Sequence, residues 1–168
     1  NLKYLIEQNS RQIKFLDRTF NINKKHTEFV FQFLIQNYRP NLSCQFEVYA
    51  DILSEELIQY LNNNLPKNFF RFEIGIQSTY EPTNRAVKRM QDFEVLARNI
   101  RLLIEGNKID LHLDLIAGLP YESYERFIQS FNDVFQLKAK EVQLGFLKLL
   151  RGTNLRKKAD EYGYVYDE

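Results

Sequence analysis

The chain holds a single cysteine, Cys44, in 168 residues. One thiol excludes an internal disulfide and fits a reducing compartment, so a cytoplasmic location is expected. No charge of one sign dominates either, because 23 Lys and Arg against 22 Asp and Glu leave a formal net charge of +1. Such a balance gives no electrostatic argument for nucleic acid or for an anionic membrane surface. No apolar run approaches the length of a membrane span. The opening residues, Asn1 to Glu7, lack the apolar centre and small-residue cleavage site of a signal peptide. Gly-x-Gly-x-x-Gly and Walker-type loops are missing, which weighs against a nucleotide-binding doubly wound fold. Low-complexity stretches and obvious linkers are missing too.

What is present is an alternation of strand and helix patterns in a chain that is 44% hydrophobic, enough to bury one core. Strands are expected at about Ile13–Phe20, Ser43–Ala50, Phe69–Ser78, Lys108–Ala117 and Glu141–Leu150. Helices are expected at about Lys24–Tyr38, Glu55–Leu65, Asp92–Glu105 and Tyr124–Leu137, with Asn1–Gln8 reading as the end of another. Their apolar faces follow helical spacing: Phe29, Val30, Phe33 and Leu34, then Leu96, Ile100, Leu103 and Ile104, then Phe127, Ile128, Phe131, Val134 and Phe135. Asn23, Ser54 and Ser123 suit N-caps, and Gly106 suits a helix stop. Strands joined by single crossover helices imply parallel pairing in right-handed βαβ units.

Four of the strands alternate polar and apolar residues. Asp110, His112 and Asp114 oppose Leu111, Leu113 and Leu115; Arg71, Glu73, Gly75 and Gln77 oppose Phe70, Phe72, Ile74 and Ile76. Gln45 and Glu47 oppose Phe46 and Val48, and Gln143 and Gly145 oppose Val142, Leu144 and Phe146. Parallel strands buried on both faces normally read as continuous apolar runs. Carboxylates buried without partners cost several kcal/mol, so the polar face is expected to line a ligand cavity. The fold class that follows is α/β, a partial (βα) barrel of TIM-barrel type with about five βα units. Function in such barrels sits at the C-terminal ends of the strands.

Phe72-Glu73-Ile74-Gly75-Ile76-Gln77-Ser78, then Val87-Lys88-Arg89, then Leu113-Asp114-Leu115-Ile116-Ala117-Gly118-Leu119-Pro120 resemble the radical S-adenosylmethionine enzymes. The branch resembled contains oxygen-independent coproporphyrinogen oxidase, the methylthiotransferases and the cobalamin-binding radical enzymes, and the likeness runs from about Ile13 to Leu150. It implies an incomplete (βα)₆ barrel in which a [4Fe–4S] cluster cleaves S-adenosylmethionine to a 5′-deoxyadenosyl radical. It also implies an external electron donor such as flavodoxin or ferredoxin, and in some members a cobalamin carried by an upstream domain.

Carried over residue by residue, the resemblance assigns Glu47 and Arg89 to the amino and carboxylate ends of the methionine moiety. Gln77 and Asp114 would bond the ribose and neighbouring groups. Ile116, Ala117 and Gly118 would approach the adenine, with Gly145, Phe146 and Leu147 of the last strand. A guanidinium grips a carboxylate in bidentate fashion, and glycine at Gly75 and Gly118 leaves room for close approach. One departure matters. The family's cluster takes three cysteines, usually in a Cys-x-x-x-Cys-x-x-Cys loop after the first strand, and only Cys44 is present. Residues 1–168 are therefore expected to be one barrel domain lacking the first strand and the cluster loop, with no catalytic residue and no metal ligand of its own. Inactivity alone and self-association through exposed shell residues are expected with it.

Plainer readings stand beside these. Glu47, Gln77 and Asp114 can be satisfied by Arg71, Lys14 or water, and Arg89 can join Arg85, Lys88 and Arg98 on a solvated basic helix face. His112 reads as a hydrogen-bonded interior group, and His26 as exposed. Asp17 and Asn21, where the family carries a Gly-Gly-Glu-like element, can substitute for it or only close the loop. Cys44 and the phenylalanine stripe read as core. The tail from Arg151 to Tyr166 begins an extension. Two other functions remain open: a barrel module binding a phosphorylated metabolite, for which Gly152-Thr153 is the phosphate candidate, and a non-catalytic interaction module.

Overall fold

The structure is a computed structural model and describes residues 1–165. Five parallel strands form one sheet in the order β1 to β5: β1 (Gln12–Lys14), β2 (Ser43–Glu47), β3 (Phe70–Gln77), β4 (Asp110–Ala117) and β5 (Glu141–Phe146). The helices are α1 (Leu2–Glu7), α2 (Lys24–Gln36), α3 (Glu55–Asn64), α4 (Glu81–Ala86), α5 (Phe93–Gly106), α6 (Tyr124–Phe135) and α7 (Asn154–Lys157). Sequential neighbours pair without exception, as expected of successive βαβ units in a partial barrel. The end of the expected tail, Tyr166, lies outside the described residues.

Period-two alternation decides the two faces. Cys44, Phe46, Phe70, Phe72, Ile74, Ile76 and Leu113 are inaccessible to solvent and pack beneath the helices. Phe31 of α2 sits 5.1 Å from the rings of both Phe46 and Phe70 and 5.8 Å from Phe72. Each such ring contributes about 1.5–3 kcal/mol by leaving water. Ile58 and Leu61 of α3, and Ile100 and Leu103 of α5, complete the layer. Asn23, Ser54 and Ser123 cap α2, α3 and α6 as expected, each accepting a backbone N–H.

Several boundaries differ from the sequence expectation, each for a local reason. The first strand stops at Lys14, because a turn leads into a 3₁₀ segment at Phe20–Ile22, clamped by Asn21 against the backbone of Tyr49. The second stops at Glu47, ahead of a second 3₁₀ turn at Ala50–Ile52. The last stops at Phe146, as the chain turns toward α7. Asp92 caps α5 rather than beginning it. Gly106 is not the stop: Asn107, with φ +50°, is. Gly106 is the last helical residue, and a Cβ there would collide with Asn62 of α3. The phenylalanine stripe of α2 is only partly core. Phe31 is buried and Phe33 half-buried, whereas Phe29 is exposed, as are Ile128 and Phe135 on α6 and Leu144 and Phe146 on β5.

Candidate functional site

The polar face of the sheet divides into two layers. Toward the strand N-termini the groups are paired with one another. Arg71 reaches Asp110 at 2.9 Å and Glu141 at 2.8 Å, and its Nη2 lies 2.6 Å from His112 Nδ1. Lys14 pairs with Glu73 at 3.4 Å, and Gln45 donates to Glu73. Arg71 and Lys14 are thus committed to Glu73, Asp110 and Glu141, and not to the ligand candidates. His112 is the buried interior group expected of it, and His26 is exposed.

Toward the strand C-termini the polar groups surround a cavity of about 210 Å³, with Glu47, Gln77, Arg89 and Asp114 all in its lining. Arg89 follows α4 in a loop, away from Arg85 and Lys88, and turns its guanidinium inward. It donates to the carbonyl of Gly75, to Gln91 Oε1 at 2.9 Å and to the Tyr49 hydroxyl at 3.3 Å. Its carbon centre stands 4.4 Å over the Tyr49 ring. Burial lowers the Arg89 pKa, opposed by Tyr49, Asp51 and Asp114; a guanidinium nevertheless stays charged. Burial raises the pKa of Asp114; His112 opposes the rise, and the negative charges of Glu73 and Glu47 add to it.

Two buried acceptors on residues that line this space have no hydrogen-bond partner: Gln77 Oε1 and Asp114 Oδ1. Asp114 Oδ1 does lie 3.1 Å from His112 Nε2, out of hydrogen-bond alignment. Orphaned buried acceptors beside a half-buried cation are costly unless something completes them. The Gln77 amide is placed by an irregularity: β3 slips register against β4 between Gly75 and Gln77, and Gln77 adopts φ +69°. Gly75 leaves the space that the amide occupies, since a Cβ there would fall on Gln77 Nε2.

The other expected residues lie further along. Ala117, Gly118, Phe146 and Leu147 line a second cavity of about 370 Å³. Ile116 and Gly145 are partners across β4 and β5 and line neither cavity. Sequence reasoning missed several lining residues, Tyr49 under the Arg89 guanidinium among them. Arg18, from the loop after β1, enters the first cavity where Asp17 and Asn21 were weighed; Asp17 is exposed, and Asn21 is spent on Tyr49. Tyr164 donates to the carbonyl of Gly118 at 2.8 Å and walls the second. A polar residue after the first strand was the only signal for the former, and none existed for the latter. Thr153, the phosphate candidate, caps α7 through Arg156 N at 3.2 Å and bonds Leu150 O at 2.8 Å, roles that account for its hydroxyl.

Two cations, Arg18 and Arg89, three carboxylates, Glu47, Glu73 and Asp114, and the amide of Gln77 around one space suit a zwitterionic ligand that also carries hydroxyls. S-adenosylmethionine has those groups, and the unpartnered oxygen of Gln77 beside the Arg89 guanidinium fits it. An iron–sulfur cluster does not fit these residues. Cys44 is buried on the opposite, apolar face, with burial pushing its thiol up to about 12. Among the described residues no three His, Cys, Asp or Glu side chains converge as for a metal, and no helix is long and apolar enough to cross a membrane.

Fold and cavity together define a partial parallel barrel with a polar cavity at its strand C-termini. The profile of the Radical SAM superfamily matches residues 1–134, and the chain belongs to that superfamily. An uncharacterised Bacillus subtilis protein, YtqA, is 25% identical over 112 residues, 66% of this chain and 34% of its own length. Oxygen-independent coproporphyrinogen III oxidase of Helicobacter pylori is 26% identical over 104 residues, 61% of this chain and 23% of the relative. The chain therefore spans about a third or less of the curated relatives it matches. Among solved structures, coproporphyrinogen III oxidase of Escherichia coli superposes with a TM-score of 0.69 at 22% identity, covering 83% of this chain and 32% of that one. The radical S-adenosylmethionine methyltransferase TsrM of Kitasatospora setae gives 0.71 at 16% identity, covering 86% and 28%. These two likenesses show the fold.

Proposed function

We propose that this chain forms the S-adenosylmethionine-binding wall of a radical enzyme, and that the whole protein reductively cleaves this cofactor to begin radical chemistry on its substrate. The observation that carries the reading is Gln77 Oε1, a buried acceptor without a hydrogen-bond partner, on the wall of the cavity that Arg89, Glu47 and Asp114 also line. Arg89 still has two of its five N–H groups free of the bonds described above for the methionine carboxylate. Glu47 takes the ammonium. Gln77 and Asp114 accept from the ribose hydroxyls. Ala117 and Gly118, with Phe146 and Leu147, border the adenine in the second cavity, and Ile116 and Gly145, which line neither cavity, drop out of the reading. These residues bind and orient; the cluster's thiolates are not among them, so the reading assigns those ligands to a segment outside residues 1–168. By the same reading the chain on its own is inactive.

The test uses the full-length protein, purified without oxygen. Titration calorimetry with S-adenosylmethionine should show binding that Gln77→Ala weakens about fivefold and Asp114→Ala about tenfold or more, the costs of a neutral and a charged hydrogen bond. Reduction should release 5′-deoxyadenosine. Unchanged affinity in both variants would overturn the site assignment. The finer expectations belong to the same proposal: a visible absorption spectrum shows a bound cobalamin, and reduction by flavodoxin or ferredoxin shows the electron donor.

A further inference from the structure

We propose that His112 is a positioning residue for Asp114, transmitting the order of the ion-paired lower layer to the ligand-facing carboxylate above it. The inference rests on the reading of Asp114 as a ligand contact. The chemistry starts from Arg71, whose guanidinium can only donate. Its Nη1 bonds Asp110 Oδ2 at 2.9 Å, and its Nη2 bonds Glu141 Oε2 at 2.8 Å and meets His112 Nδ1 at 2.6 Å. Two donors cannot share a 2.6 Å contact, so Nδ1 is the bare, accepting nitrogen. Glu141 Oε1, at 3.7 Å from Nδ1, is too distant to claim a proton there. The ring proton therefore resides on Nε2.

Nε2 lies 3.1 Å from Asp114 Oδ1, and each of these atoms lacks any other partner. The imidazole is buried, at 7% exposure, so water does not offer Nε2 an acceptor cheaply. A small rotation of the half-buried carboxylate brings Oδ1 onto the N–H axis. One oxygen of Asp114 is then held by His112, and the other is left to face the cavity. Arg71 thus selects the tautomer and His112 selects the rotamer. The exposed Lys140 forms an ion pair with Asp110 at 3.1 Å at the base of the chain. The arrangement is the carboxylate–imidazole logic of an outer-shell orienter, applied to an organic cofactor rather than a metal.

Two measurements on the full-length protein test this. Ring ¹⁵N shifts of histidine-labelled protein, with the His112 signal identified by its loss in His112→Gln, should report the Nε2–H tautomer. An Nδ1–H tautomer or a doubly protonated ring would overturn the inference whatever the ligand. Calorimetry with S-adenosylmethionine then reads a double-mutant cycle. His112→Phe keeps the ring volume without the donor and should weaken binding about tenfold. His112→Gln restores a donor and should recover most of it. In an Asp114→Asn background His112→Phe should cost little more, because both changes remove one unit. If Asp114→Asn itself leaves affinity unchanged, the functional reading falls and takes this inference with it. If Asp114→Asn weakens binding and His112→Phe does not, or if the two costs simply add, the inference alone falls.

Discussion

Replacing Gly75 with alanine separates the site from the fold. Gly75 has no positive φ, so alanine meets no backbone strain there, and a Gly→Ala change at a compatible position stabilises by about 0.4–1 kcal/mol through the unfolded chain. The new Cβ would land on Gln77 Nε2, whereas its distance to Arg89 Nη2, 3.5 Å, is an ordinary contact. Gln77 must therefore swing away while Arg89 stays. Losing one neutral hydrogen bond costs about 0.5–1.5 kcal/mol, or roughly 2- to 12-fold in affinity. Calorimetry with S-adenosylmethionine and thermal unfolding of full-length Gly75→Ala should show that weakening together with an unchanged or raised Tm. In a Gln77→Ala background the same change should cost nothing more. Full affinity, or an affinity loss that tracks a falling Tm, would refute the argument.

Two further outcomes follow from the polar and buried groups. The pKa of Asp114 is raised above its ordinary 3.8, first by burial and further by Glu73 and Glu47, so ionisation costs the empty protein stability that is complete below the unfolded value and lost as pH rises through the folded one. Binding that needs the carboxylate has the opposite sign. Affinity for S-adenosylmethionine should fall on acidification from above pH 3.8, and Asp114→Asn should flatten that profile while stabilising the empty protein at neutral pH; a profile identical in the variant sinks the assignment. Asn99 is fully buried and its Nδ2 donates to Ala50 O at 2.8 Å and Leu53 O at 2.9 Å, tying α5 to the turn after β2. Asn99→Ala removes both bonds, leaving Ala50 O only its bond from Leu53 N, and should cost about 1–3 kcal/mol in urea unfolding; a loss under about 0.5 kcal/mol would show that the turn relaxes.

Most of the architecture was legible because it depends on period alone. Phe70, Phe72, Ile74 and Ile76 against Arg71, Glu73, Gly75 and Gln77 state both the strand and its two faces, and the observed burial of β3 alternates accordingly. Boundaries were less legible where tertiary contacts end a strand, as at Glu47, where the backbone leaves the ladder for a turn held by Asn21 and Asn99. Helix faces were misread where an apolar residue has no neighbour to cover it. Phe29 fits the helical stripe and is 66% exposed, while Phe31 fits it less well and is completely buried. In the cavity, Glu47 and Asp114 were visible as inward carboxylates on strands. Arg89, Arg18 and Tyr164 come from loops, whose direction no periodicity encodes, and only the resemblance of Val87-Lys88-Arg89 pointed to the first.

The register slip at Gln77 explains why the upper layer is open and the lower one closed. A non-glycine residue at φ +69° costs of order 1–3 kcal/mol, and it persists only where its surroundings over-determine it. They do so on the C-terminal side. Ser78 N bonds Ile76 O at 2.9 Å, Gln91 Nε2 bonds the same carbonyl at 2.6 Å, and Asn84 Nδ2 bonds Ser78 O at 2.8 Å. The Ser78 hydroxyl is fastened to Glu122, which Ser130 of α6 also reaches, at 2.7 Å. The loop after β3 is thus tied to the loop after β4, and the tie fixes Gln77 in a conformation that ordinary strand geometry would reject. Unstrained, β3 would keep its register and its polar face would meet that of β4 in even rungs, as Arg71 meets Asp110. The slip removes Gln77 from that ladder of mutual satisfaction and leaves its amide oxygen, with Asp114, for a ligand to complete.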